Sequence, residues 1–221
     1  MIIDGKKVIP CNSYTFSSPT NHTIYFLMNT VDLYATFLDN KNLISISFTS
    51  LYNTENVTNM NSLFYGCTSL ESVDITDFNT KNVRYMNFMF YNCSSLLSIN
   101  VSNFITSKVK YMQNMFAHCS SLKVLDISSF NTENVEDMRN MFDNCKKLTS
   151  IDVSKFNISK VKYMDFMFRD CSSLKSLNLS NFIISNVDNM YGMFCGLSFE
   201  PNPFNCNDED KCKYIYSCIE F

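Results

Sequence analysis

The chain of 221 residues has no tryptophan, only four glycines, four prolines and two histidines. So few glycines leave no Gly-rich loop to cradle a phosphate. Charged residues make up 18% and the formal net charge is −3, so the clustered Lys and Arg of a nucleic-acid groove are missing. Apolar runs stop at about five residues (Ile24 to Met28), whereas a membrane span needs about 20. The start, Met1-Ile2-Ile3-Asp4-Gly5-Lys6-Lys7, lacks the basic region and apolar stretch of a secretory signal. The expectation is a protein that stays inside the cell, or a leader lying upstream. His22 and His118 stand in no nucleophile or acid–base motif, which makes an enzyme the poorest class.

What is abundant is apolar and sulfur-rich: 20 Phe, 13 Met and 10 Cys. These residues fall in register. Phe78, Val83, Met86, Met89, Phe90, Cys93, Leu96, Ile99 and Val101 return 26 residues later. They become Phe104, Val109, Met112, Met115, Phe116, Cys119, Leu122, Leu125 and Ile127. Further copies begin at Phe130 and Phe156, an earlier one at Tyr52, and a last one at Phe182 that breaks after Phe194. There Leu197 stands where a cysteine is due. A period held without a slip over this length means a solenoid, in which each unit buries its apolar stripe only against its neighbours.

Two periodicities share each unit. From Val83 the apolar residues fall at i, i+3, i+6, i+7 and i+10, which predicts a helix of about three turns. Asn79 or Thr80 would cap it. From Leu96 the spacing Leu-x-x-Ile-x-Val alternates, which predicts a short strand. The expected fold class is α/β: about six 26-residue strand–turn–helix coils with parallel stacked strands and terminal caps. An N-terminal cap is assigned to 1–25, the solenoid to 26–199, and a Cys-containing C-terminal cap to 200–221.

The segment Leu122-Lys-Val-Leu125-Asp-Ile127-Ser-Ser-Phe130-Asn131 resembles the leucine-rich-repeat strand signature L-x-x-L-x-L-x-x-N. The full unit, F-N-T-x-x-V-x-x-M-x-x-M-F-x-x-C-x-S-L-x-x-L-D-I-S, is similar to the BspA-like branch, the 26-residue repeat of bacterial surface proteins. The likeness spans roughly residues 26–199. It implies a leucine-rich-repeat-type solenoid and a non-enzymatic, protein-binding module of adhesin type, on the cell surface or secreted. Its partner would be a host or cell-surface protein. An intracellular scaffold is the alternative, and a cytoplasmic location follows if the absent signal is real. No cofactor is expected, and the protein is read as a monomer.

The Met-x-x-Met-Phe-x-x-Cys cluster puts soft sulfur on one stripe, where Cu(I) or zinc could be imagined. Met86, Met89 and Cys93 share that stripe with Val83 and Phe90, so core filler is the plainer reading, and no metal site is assigned. Cys67, Cys93, Cys119, Cys145 and Cys171 are expected as free buried thiols. Cys195, Cys206, Cys212 and Cys218 could form two disulfides in any of three connectivities, stay reduced, or bind zinc. Cys11 has no evident partner.

Two surfaces could receive a partner. Asp74, Asn100, Asp126, Asp152 and Asn178 form an outward polar column on the strand side, which equally suits a solvated face whose side chains satisfy turns. Tyr85, Tyr111 and Tyr163 form an aromatic column on the other side, with Phe88 and Phe166 beside it. These rings either meet a partner or seal the grooves between coils.

Overall fold

The computed structural model describes residues 2–3, 6–7, 24–25, 32–48, 54–199 and 214–218. Most of the two expected caps, with Cys11, Cys206 and Cys212, lies outside the described residues. Strands β1 (Ile2–Ile3), β2 (Lys6–Lys7) and β3 (Ile24–Tyr25) pair antiparallel in the order β2-β1-β3. In the repeats, β4 (Ser45–Ser47) pairs with β5 (Ser72–Asp74), and β6 (Ser98–Asn100) with β7 (Val124–Asp126). Both pairs are parallel. Each of these strands buries its central residue, Ile46, Val73, Ile99 or Leu125, and exposes the two beside it. The ladder weakens after β7: residues 150–152 and 176–178 form no strand, although Thr149 N–H still reaches the Lys123 carbonyl at 3.3 Å.

The predicted helix is absent. Among the described residues the only helical segments are two 3₁₀ turns, Thr54–Asn56 and Ile184–Asn186. The backbone shows why. Phe88 and Asn92 both have φ of 57°, in the left-handed region, and the pair recurs at Asn114 and His118, Asn140 and Asn144, and Phe166 and Asp170. A right-handed helix cannot pass through a left-handed residue at every fourth position. The segment is instead a run of tight turns, and the spacing of its buried residues mimics a helical stripe.

The hydrogen bonds of this ribbon follow one rule. The N–H groups of Met86, Phe88, Phe90 and Asn92 donate to the carbonyls of Tyr111, Gln113, Met115 and Ala117 in the next coil, at 2.8–3.1 Å. The intervening N–H groups of Met89, Tyr91 and Cys93 donate three residues back within their own coil, at 3.1–3.3 Å. Buried backbone groups must be paired, and here half of the pairing is supplied by the neighbouring coil. The same ribbon carries a column of parallel bridges through Asp32, Asn59, Tyr85, Tyr111, Asp137, Tyr163 and Asn189. No coil can satisfy itself alone. Thr80 shows the same logic at the entry to each ribbon: it caps no helix, and its hydroxyl donates to the Ile105 carbonyl while accepting the Ile105 N–H. Thr106 with Asn131, and Thr132 with Asn157, repeat that exchange.

The core is one column copied along the stack. Phe37, Phe64, Phe90, Phe116, Phe142, Phe168 and Phe194 stack with centroids 5.4–6.4 Å apart and ring planes within 19° of parallel. The Met positions, such as Met86 and Met89, are fully buried beside them, where an unbranched side chain fills irregular gaps. Cys67, Cys93, Cys119, Cys145 and Cys171 are free and buried. Each has a defined task. Cys119 Sγ donates to the Phe90 carbonyl at 3.1 Å, and the Cys93 N–H already donates to that oxygen at 3.1 Å. The thiol therefore fills the second lone pair of a buried carbonyl. Cys67, Cys93, Cys145 and Cys171 do the same for Phe37, Phe64, Phe116 and Phe142. Burial pushes these thiols up, to about 12 for Cys67 and Cys119, and upward likewise for Cys93, Cys145 and Cys171. A thiol held neutral in this way is a poor nucleophile and a poor metal ligand.

Candidate interaction surface

The strand-side column is exposed and its polar groups are committed to turns. One carboxylate oxygen of Asp74 accepts from the N–H and hydroxyl of Thr76, at 3.2 and 2.7 Å. Asn100, Asp126, Asp152 and Asn178 accept from the N–H of Ser102, Ser128, Ser154 and Ser180 in the same geometry. The hydroxyls and N–H groups of Thr76, Ser128 and Ser154 hold the carboxyls of Asp74, Asp126 and Asp152 below the usual range. These side chains close the bend after each strand, and this fixes why Asp and Asn recur there. Among the described residues, Ile44 and Leu97 and Val124 of adjacent coils are exposed apolar residues on this side, and Ile105 and Ile183 are exposed just after Phe104 and Phe182.

The ribbon side differs in kind. Tyr85 and Tyr163 are exposed, and Tyr111 is half-buried. Tyr85 and Tyr111 stack at 5.6 Å and 11°, while the Arg139 guanidinium sits 4.9 Å over the Tyr163 ring. Asp137 takes the tyrosine position between them, and its carboxylate pairs with Arg139 at 2.6 Å. The aromatic column thus runs through four coils, with one charged pair inserted. A second aromatic group lies alongside. Tyr65 and Tyr91 stack at 4.7 Å, Phe88 packs edge-on to Tyr91, and Tyr91 meets the His118 ring at 5.3 Å.

This group also ends in charge. Asp143 is buried and is held by Arg169 at 2.7 Å, with His118 Nε2 3.7 Å from its carboxylate. Arg169 in turn lies 4.2 Å over the Phe166 ring. Burial raises the Asp165 carboxyl, and one of its oxygens has no hydrogen-bond partner. Asp137, Arg139, Asp143, Asp165 and Arg169 were not singled out from sequence. Their signal is there: in their three columns the other coils carry uncharged residues such as Tyr, Asn, Gln, Ala or Cys, apart from Asp32. Asp143 with Arg169, and Arg139 with Tyr163, join neighbouring coils at one place in the stack.

No set of three or more His, Cys, Asp or Glu side chains that could hold a metal ion occurs among the described residues. No described helix is long and apolar enough to cross a membrane. Of the four C-terminal cysteines, Cys195 and Cys218 are bonded, with their Cα atoms 5.2 Å apart; Cys206 and Cys212 are outside the described residues.

A family described as "Mycoplasma protein of unknown function, DUF285" matches over residues 31–125 and again over 112–208. The chain belongs to this family. Its repeats are of the BspA-like leucine-rich kind, as the sequence motif implied. A leucine-rich repeat protein from Eubacterium ventriosum shares 20% identity over 77% of this chain and 45% of its own length, with a TM-score of 0.51. This supports a repeat solenoid. The T. pallidum leucine-rich repeat protein TpLRR shares 24% identity over 73% of this chain and 66% of its own, with a TM-score of 0.46. The chain spans 66% and 45% of the lengths of these two proteins. Among curated proteins, none matches this sequence.

Proposed function

We propose that this DUF285 chain is a non-enzymatic protein-recognition module that binds through its ribbon side. About six coils between residues 26 and 199 form the binding unit, and residues 1–25 and 200–221 close its ends. The observation that carries the reading is the aromatic column Tyr85–Tyr111–Tyr163, partly exposed and stiffened by ring stacking and by Arg139. Tyr and Arg dominate binding energy at protein interfaces, and rings already stacked lose little freedom on binding. The Asp74, Asp126 and Asp152 column, with its carboxylates tied into turns, contributes less. An adhesin-like role on the cell surface or in secretion follows from the BspA-like repeat. The intracellular scaffold is the second reading, favoured by five cysteines that remain thiols.

The test is a display library of folded protein domains panned against the immobilised chain. Tyr85→Ala/Tyr111→Ala/Tyr163→Ala should weaken selected binders at least about 150-fold, given roughly 1 kcal/mol or more for each anchor. Asp74→Asn/Asp126→Asn/Asp152→Asn should leave them within about 3-fold. The reverse pattern would move the site to the strand side. Antibody staining of intact against permeabilised cells separates the adhesin from the scaffold.

A further inference from the structure

The last regular coil cannot find a successor, because the repeat breaks after Phe194. Two of its cross-coil backbone donors are nevertheless satisfied. Gly192 N–H donates to the Tyr214 carbonyl and Phe194 N–H to the Ile215 carbonyl, both at 2.8 Å. These are the bonds that Phe88 and Phe90 make to their following coil. Residues 214–218 thus stand in for a coil. They also imitate its side chains: Ile215 is buried, Tyr216 packs 5.6 Å from Phe194, and the Tyr191 hydroxyl lies 2.9 Å from Ser217 Oγ. Gly192 leaves the space this requires, since a Cβ there would lie 2.5 Å from the Phe166 ring and 2.9 Å from the Ser217 carbonyl oxygen.

What holds this strap differs from what holds a coil. The coil's cysteine is displaced: Leu197 takes the position of Cys171, and the sulfur moves to Cys195, where other coils carry Tyr, Ala, Asp or Arg. Cys195 is bonded to Cys218, which is exposed on the strap, 23 residues away. Within the described residues the remaining cysteines are the buried core thiols. Reducing conditions therefore have one target there, and it lies on the end of the stack and not inside it.

We propose that the Cys195–Cys218 bond is a redox latch on the C-terminal edge of the solenoid. Closed, it keeps 214–218 in the place of a coil; opened by a dithiol, it frees the strap and uncovers the Gly192 and Phe194 amides while the inner coils stay folded. The exchange is balanced. A thiolate of the dithiol attacks the exposed Cys218 sulfur, the Sγ–Sγ bond breaks, and Cys195 leaves as a thiolate that takes up a proton. The dithiol's second thiolate then displaces Cys218, which is protonated in turn. The cystine gains two electrons and the dithiol, now a disulfide, has lost them.

The experiment is amide hydrogen exchange on the full chain, oxidised and then reduced with dithiothreitol, with alkylation mapping to follow Cys195 and Cys218. A crosslink over such a loop corresponds to roughly 30- to 1,000-fold in the opening equilibrium. Exchange at Gly192 and Phe194 should accelerate by at least about 30-fold on reduction, with Phe90 and Phe116 within about 2-fold of their oxidised rates. Cys218→Ser should reproduce the reduced pattern without any reductant. Unchanged exchange at Gly192 and Phe194 in fully reduced protein overturns the latch. So does an equal acceleration at Phe90 and Phe116, which would make the bond a staple of the whole fold. A native peptide map that pairs Cys195 with another cysteine overturns it as well.

Discussion

The two sides of each coil are built on different terms. On the ribbon side, alternate N–H groups cross to the next coil, buried thiols fill leftover carbonyl lone pairs, and phenyl rings stack without interruption from Phe37 to Phe194. On the strand side, regular pairing is limited to β4–β5 and β6–β7, and the polar column closes its own bends. The contrast teaches where a solenoid of short units keeps its cohesion. It lies where each coil completes the bonding of the one before it. The strand side follows from that stacking and tolerates change; the ribbon side enforces it.

The largest expected effect uses the thiols, all of which lie on the ribbon side. Their folded pKa values are raised, so the native state holds protons that the unfolded chain releases above about pH 8.5. The stabilisation from neutral thiols is whole below that pH and is lost as pH rises towards about 12, the value for Cys67 and Cys119. Each thiol contributes a loss of roughly 1 kcal/mol per pH unit, so five together should unfold the chain within one or two units above pH 9. Urea titrations at rising pH would show it, and a flat profile would contradict the buried thiol column.

Next in size, Phe116→Ala in the ring stack should cost about 3–5 kcal/mol, whereas Asp126→Ala on the strand side should stay within about 0.5 kcal/mol. Comparable losses in chemical denaturation would erase the distinction between the sides. Smaller again is His118→Val. His118 has φ of 61°, which a β-branched side chain resists, so about 1–2 kcal/mol should be lost. His118→Asn should be tolerated, because Asn92 and Asn144 hold that conformation in neighbouring coils.

That last pair also explains what could and could not be read from the chain. The 26-residue period, the Phe, Met and Cys columns and their burial were legible, because a repeated core writes the same residue types at the same spacing. The helix was misread because apolar residues three and four apart suit a turn ribbon of four-residue units as well as a helical stripe. The deciding signal was the column Asp39, Gly66, Asn92, His118, Asn144, Asp170 and Gly196. It contains only the types that tolerate a left-handed backbone, and all seven adopt it. The charged insertions at Asp137, Arg139, Asp143 and Arg169 are legible only by comparing coils for exceptions. The strap at 214–218 was not legible at all, since it copies the geometry of a coil without copying its sequence.

Far-UV circular dichroism of the folded chain tests the ribbon most directly. A solenoid of crossed turns and short strands predicts a spectrum without the paired minima of an α-helix. A helical double minimum, strong enough for about three turns in every coil, would contradict it and restore the strand–turn–helix unit.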